Sequence, residues 1–237
     1  MNLYFRSLLI AFTLLFLLLR NQPLAAQPTI SYIIPDIGTP GMNTYVEVIG
    51  PQNKSGNFGG TNDVIGNGQV SVQTVNPADT NRVMISPPIV SWQGRMIGCQ
   101  IFVRDDAALG PVPIRVVVNG VQSNADTFFI VAPQTIGNQN GGGQLGSGTL
   151  GRRSKRGAMI VDSLILTNGI YTISTGDTDP QTGGGQGYLP CVILSKGPVL
   201  VGFNGEIVVD AIGKHGGPGG GGSGGYRRWG TVEGPYP

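Results

Sequence analysis

Residues that carry chemistry are scarce in this chain. Its 237 residues include one histidine, His215, and two cysteines, Cys99 and Cys191. One imidazole and two separated thiols cannot assemble the usual three- or four-ligand transition-metal sets. No metal site is expected, and no cofactor. A Ser–His–Asp arrangement needs its imidazole held by rigid neighbours. His215 stands at the mouth of a glycine tract, so no catalytic role is expected for it. Two cysteines this far apart are neither a disulfide framework nor a metal pattern. Charge is equally thin, at 12% of residues against a typical ~25%. Arg6 and Arg20 are two of the 15 basic residues, so 13 basic and 13 acidic residues lie beyond position 26. That balance provides no basic face, and no nucleic-acid partner is expected.

One long apolar run is present, from Ser7 to Leu19, behind a short start that carries Arg6. It is shorter than the ~20 residues of a spanning helix. Leu24-Ala25-Ala26 comes next, with small residues where a signal peptidase cuts. This is the layout of a secretory signal peptide over residues 1–26. Cleavage would leave Gln27 first, and membrane contact is expected only during export. The rival, an uncleaved anchor, is opposed by Arg20 and by the cut site. Export permits disulfides, so a Cys99–Cys191 bridge stands as the alternative to a buried, inert Cys99.

Residues 28–133 show short apolar runs between turn signals, the pattern of an all-β unit. Strands are expected at Thr29–Ile34, Thr44–Ile49, Gln69–Val75, Arg82–Ser86, Ile89–Trp92, Met96–Val103, Val112–Asn119 and Thr127–Val131. Ile97, Cys99, Ile101 and Val103 share one face of their strand; Ile114, Val116 and Val118 share one face of theirs. Seven or so strands in a hundred residues most simply make two packed sheets.

Pro28-Thr29-Ile30-Ser31-Tyr32-Ile33-Ile34-Pro35, Gly38, Pro40-Gly41 and the strand Val46–Ile49 ending at Gly50 resemble the opening of an IPT/TIG domain. Val90-Ser91-Trp92 with the next strand, then Ala107–Gly110, Ser123-Asn124 and Phe128, resemble its middle and end. The resemblance covers nearly all of 28–133, with an extended Gly/Asn-rich insertion between Pro51 and Gly68. It implies an immunoglobulin-like sandwich over residues 27–134, with Trp92 in its core. It implies no particular activity, because fold does not settle function.

Glycine, 40 residues, far exceeds its usual ~7% and dominates the chain beyond residue 134. Residues 135–156 read as a Gly/Asn-rich linker, flexible by composition and closed by the basic run Arg152–Arg156. That run is read as a solvated boundary, with a protease or polyanion site as the alternative. Over residues 157–212 short β runs resume at Met159–Leu166, Ile170–Ser174, Cys191–Leu194, Val199–Val201 and Glu206–Val209. Ile160, Leu164 and Leu166 are placed on one face. Spaced glycines before short valine-rich strands suggest the stacked turns of a β-solenoid; an open sheet packing on the first domain is the rival. Residues 213–237 form a glycine-rich tail. It lacks a Gly-x-y period and is not collagen.

Carboxylate pairs are few. Asp105-Asp106 and Asp177-Thr178-Asp179 read as turn chemistry in preference to a calcium loop, which would need further ligands at fixed positions. Gly183–Gly187 lacks the setting of a phosphate loop. Trp229, after Arg227-Arg228, is the better placed of the two tryptophans to stack on a sugar. The expected class is therefore a non-enzymatic extracellular or cell-surface module with an adhesion or spacer role. The expected partner is an extracellular protein or a polysaccharide. The alternatives are the accessory N-terminal part of a secreted polysaccharide-acting enzyme, or a calcium-stabilised adhesin.

Overall fold

A computed structural model describes residues 27–51, 57–59, 64–65, 69–146, 150–154, 156–173, 191–208, 226–229 and 232–235. The expected signal peptide, residues 1–26, lies outside the described residues. The protein is all-β, with no α-helix among the described residues. The first ten strands are β1 (Tyr32–Ile34), β2 (Ile37–Gly38), β3 (Asn43–Ile49), β4 (Val64–Ile65), β5 (Val70–Thr74), β6 (Val83–Ile85), β7 (Ile89–Ser91), β8 (Met96–Val103), β9 (Gly110–Val118) and β10 (Val121–Ile130). They form two sheets. One runs β1-β3-β8-β7-β4, with β6 also on β8; the other runs β2-β10-β9-β5. Their inward faces share one core. Val46, Val48, Ile97 and Ile101 enter it from the first sheet, and Val112, Ile114, Val116 and Phe128 from the second.

In β3, β5 and β9 β-branched residues recur at every second position, so each of these strands presents one apolar face to the other sheet. Met96–Val103 coincides with its expected span. Cys99 is 2% exposed, and burial pushes its thiol pKa up to about 12. Both cysteines are free. The alternative of a Cys99–Cys191 bridge is therefore corrected: Cys99 belongs to the sandwich core, and Cys191 packs against a separate one.

Between Asn138 and Val208 the pairing is parallel. β11 (Asn138–Asn140), β12 (Gly143–Leu145), β13 (Ala158–Val161), β14 (Leu164–Thr167), β15 (Gly169–Ile173), β16 (Val192–Ser195), β17 (Val199–Val201) and β18 (Gly205–Val208) stack as three sheets. The orders are β11-β14-β17, β12-β15-β18 and β13-β16. Each sheet takes strands from successive passes of the chain, as in a solenoid and unlike an open sheet. The offsets are uneven: Asn138 pairs Ile165, which pairs Leu200, while Gly143 pairs Tyr171, which pairs Ile207. Leu145, Met159, Val161, Leu164, Leu166 and Tyr171 fill the interior.

Two sequence expectations are corrected here. Residues 135–156 are not simply a linker, because they contribute β11 and β12, the first coil, and bury Leu145 and Leu150. Polar, glycine-rich strands of three residues are held by the coil beside them, not by their own apolar face. Ile160 also parts from Leu164 and Leu166. It packs with Ala158 against Ile37 of the sandwich, with Met42 and Val131 beside them. All four residues of β13 are buried, since one face looks into the coils and the other onto the sandwich.

At the corner before β15 and β18, Asn168 and Asn204 adopt left-handed φ values of 45° and 56°. Each precedes a glycine, and Gly169 pairs Gly205. Asparagine tolerates this conformation better than most residues, and the glycine lets successive turns approach closely. The last described strands, β19 (Tyr226–Trp229) and β20 (Val232–Pro235), pair antiparallel. They add an element to the expected glycine-rich tail.

Candidate functional site

The structure describes few of the sequence candidates. Asp105 and Asp106 are exposed in the turn after β8. Asp177, Asp179, Gly183–Gly187 and His215 lie outside the described residues, and the indoles of Trp92 and Trp229 lie outside the described side chains. Among the described residues, no group of three His, Cys, Asp or Glu is placed to hold a metal ion.

Two features stand out instead. The first is a groove of about 530 Å³ where the two sheets part, between β5 and β6. Val72, Val75, Val83, Met84 and Ile85 give it apolar walls. Pro77 and Thr80, from the short 3₁₀ turn Pro77–Asn81, border it, and Arg115 brings a positive charge to its lining. That turn is held at Arg82, whose guanidinium pairs with Asp79 at 2.9 Å and donates to the carbonyls of Ala108 and Pro111. Sequence alone does not reveal the groove: β5 and β6 are each legible as strands, but nothing local signals that they meet.

The second feature is the seam between sandwich and coils. Around the apolar contact of Ile37 with Ala158 and Ile160 lies a set of polar ties. Ser154 Oγ donates to Asp36 Oδ1 and accepts from the backbone N–H groups of Arg156 and Ala158. Arg156 pairs with Asp126 at 3.1 Å and lies 5.4 Å from the centre of the Tyr32 ring. Lys196 Nζ donates to the carbonyl of Pro40 at 2.9 Å. The expectation of a solvated boundary at the basic run is thus corrected, since Ser154 and Arg156 are engaged with the sandwich.

Asp36 is 4% exposed. Loss of solvation raises its pKa above the ordinary 3.8; the Ser154 hydrogen bond and Arg156 oppose the rise, and Asp126 adds to it. A native pKa above the unfolded one means the folded protein holds a proton that the unfolded chain releases. The resulting stabilisation is full below the unfolded pKa and is lost as pH rises through the folded one. Asp36→Asn, which carries no charge to desolvate, is therefore expected to melt a few degrees above the parent at pH 7. The gap should narrow as pH falls toward 4. A thermal melt series across that range checks both points; equal melting at pH 7 would refute the assignment.

In comparisons with known proteins, no family model matches the chain and no curated protein matches it as a relative.

Proposed function

We propose that this protein is a non-enzymatic extracellular or cell-surface module, in which an immunoglobulin-like, IPT/TIG-type sandwich is carried on a glycine-rich coil body and acts in adhesion or as a spacer. The observation that carries the reading is the seam. Buried Ile37, Ala158 and Ile160, with the Ser154–Asp36, Arg156–Asp126 and Lys196–Pro40 ties, join the two parts through side chains as well as through the chain itself. A spacer needs such a joint, because a loosely tethered pair of units does not hold a fixed reach. The sequence of residues 1–26 supports export, and the low charge suits an exposed surface that makes few nonspecific electrostatic contacts. An extracellular protein or polysaccharide is the partner class in keeping with this reading.

The test is export. Expressed as the whole chain in a bacterial host, the protein should be recovered outside the cytoplasm with Gln27 as its first residue. A chain lacking residues 1–26 should stay inside. Retention of the whole chain in the cytoplasm with Met1 still in place would overturn the proposal.

A further inference from the structure

The groove beside β5 is bordered by backbone that the described sheets leave unpaired. Asn119 N–H donates to Gln69 O at 2.7 Å, and Val75 N–H donates to Pro113 O at 2.8 Å. In an antiparallel ladder hydrogen-bonded and non-hydrogen-bonded pairs alternate. Given the pairs Val72↔Val116 and Thr74↔Ile114, residues 71 and 73 bond to β9, while Val72 and Thr74 turn their N–H and C=O groups away from it. The same parity holds on β6. Arg104 N–H donates to Arg82 O and Ser86 N–H to Gln100 O, both at 2.9 Å, so Val83 and Ile85 turn their groups away from β8. Among the described residues, β5 ends its sheet and β6 pairs β8 alone. Both free edges border the one groove.

Edge strands are commonly blocked by lysine, proline or a bulge. Val70–Thr74 and Val83–Ile85 contain neither lysine nor proline, and the β5–β9 register is unbroken. Arg115 donates to Gln122 Oε1 at 2.6 Å, and its buried Nε has no hydrogen-bond partner among the described residues. No acidic residue stands among those described in the groove lining.

We propose that this groove binds an extended peptide strand of another protein. The strand adds to β5 through main-chain hydrogen bonds at Val72 and Thr74, sets alternate apolar side chains against Val75, Met84 and Ile85, and brings a carboxylate to Arg115. Strand addition of this kind takes affinity from the backbone and specificity from alternate side chains. A second copy of this chain fits less well. Its own β5 has no carboxylate, and a symmetric pairing would bring a second Arg115 instead of an acid. The proposal deepens the binding role above and rests on it.

The probe is a fluorescein-labelled peptide, Thr-Val-Glu-Val-Thr-Val, compared with its counterpart carrying lysine for glutamate, with binding followed by anisotropy. The glutamate peptide should bind saturably. Thr74→Pro removes an N–H that makes no bond to β9, so it should weaken binding at least about tenfold while the melting temperature holds. Arg115→Gln should weaken the glutamate peptide about tenfold and should not weaken the lysine peptide, which loses a like-charge neighbour. Met84→Glu, at an exposed groove position, is a second variant that spares the core and should also disfavour the glutamate peptide. Absence of saturable binding, or equal binding by the parent, Thr74→Pro and Met84→Glu, would overturn the proposal. So would self-association that Thr74→Pro abolishes, since the occupant would then be a second copy. Failed peptide binding with intact export would sink this inference and leave the wider reading standing.

Discussion

Gly169→Val is expected to unstack the coils. A Cβ at position 169 would lie 2.2 Å from the Gly142 nitrogen, 2.5 Å from the Gly141 carbonyl carbon and 2.7 Å from Gly142 Cα. All three are backbone atoms, so no rotamer change relieves the overlap. The turn after β11 and the turn before β15 must move apart, and the pairs β11–β14 and β12–β15 on either side of them must open. A loss above about 4 kcal/mol is expected, in the range that marks a named steric or packing failure. Ile170→Ala, next along the chain but 59% exposed, should stay within about 0.5 kcal/mol. Denaturant melts of the two variants test the contrast. Limited proteolysis should find new cuts in Gly169→Val between residues 138 and 208 before any in the sandwich. If both variants match the parent, the close approach at this corner is not a constraint.

Ile160→Asp is expected to split the molecule into two melting units. Ile160 has no exposed surface, and its neighbours across the seam are apolar. An ionised carboxylate placed there loses its water without gaining a partner, at a cost of several kcal/mol. The protein can avoid that cost by opening the seam, which hydrates the new carboxylate but forfeits the contact of Ile37 with Ala158. One calorimetric transition in the parent should become two in the variant, and the radius of gyration from small-angle scattering should rise. A single transition with unchanged scattering in the variant would refute this expectation, and two transitions already in the parent would show that the seam does not couple the sandwich to the coils. The latter outcome would remove the main support for a spacer role.

The two variants divide along the line between what the sequence makes legible and what it does not. The long strands β3, β8 and β9 can be read because buried and more exposed positions alternate along most of their length. Ile97, Cys99, Ile101 and Val103 announce their strand by alternation, and all four are buried. β17 coincides with the expected Val199–Val201 for a related reason, since it is a short run of β-branched and apolar residues near flanking glycines. β11 and β12 escape because Asn-Gln-Asn and Gly-Gln-Leu carry no such period. Their conformation comes from hydrogen bonds to the next coil, and a local pattern does not contain them. The uneven coil offsets hide the repeat in the same way.

The candidate site is less legible still. The Asp36 carboxyl, the Ser154 hydroxyl and the Arg156 guanidinium are ordinary polar groups in the sequence, 118 residues apart for the first pair. Only the packing of β13 against β2 brings them together. The groove likewise depends on two strand edges meeting across the sandwich.

By itself the sequence determined the all-β class, the faces of the long strands and the scarcity of catalytic side chains, because alternation and composition are local properties of the chain. The tertiary structure decided which coil each short strand joins, that Ile160 faces the sandwich, and that β5 and β6 share a groove. Those are contacts between distant segments, set by backbone pairing and by burial on both sides of a strand, and neither has a local signature.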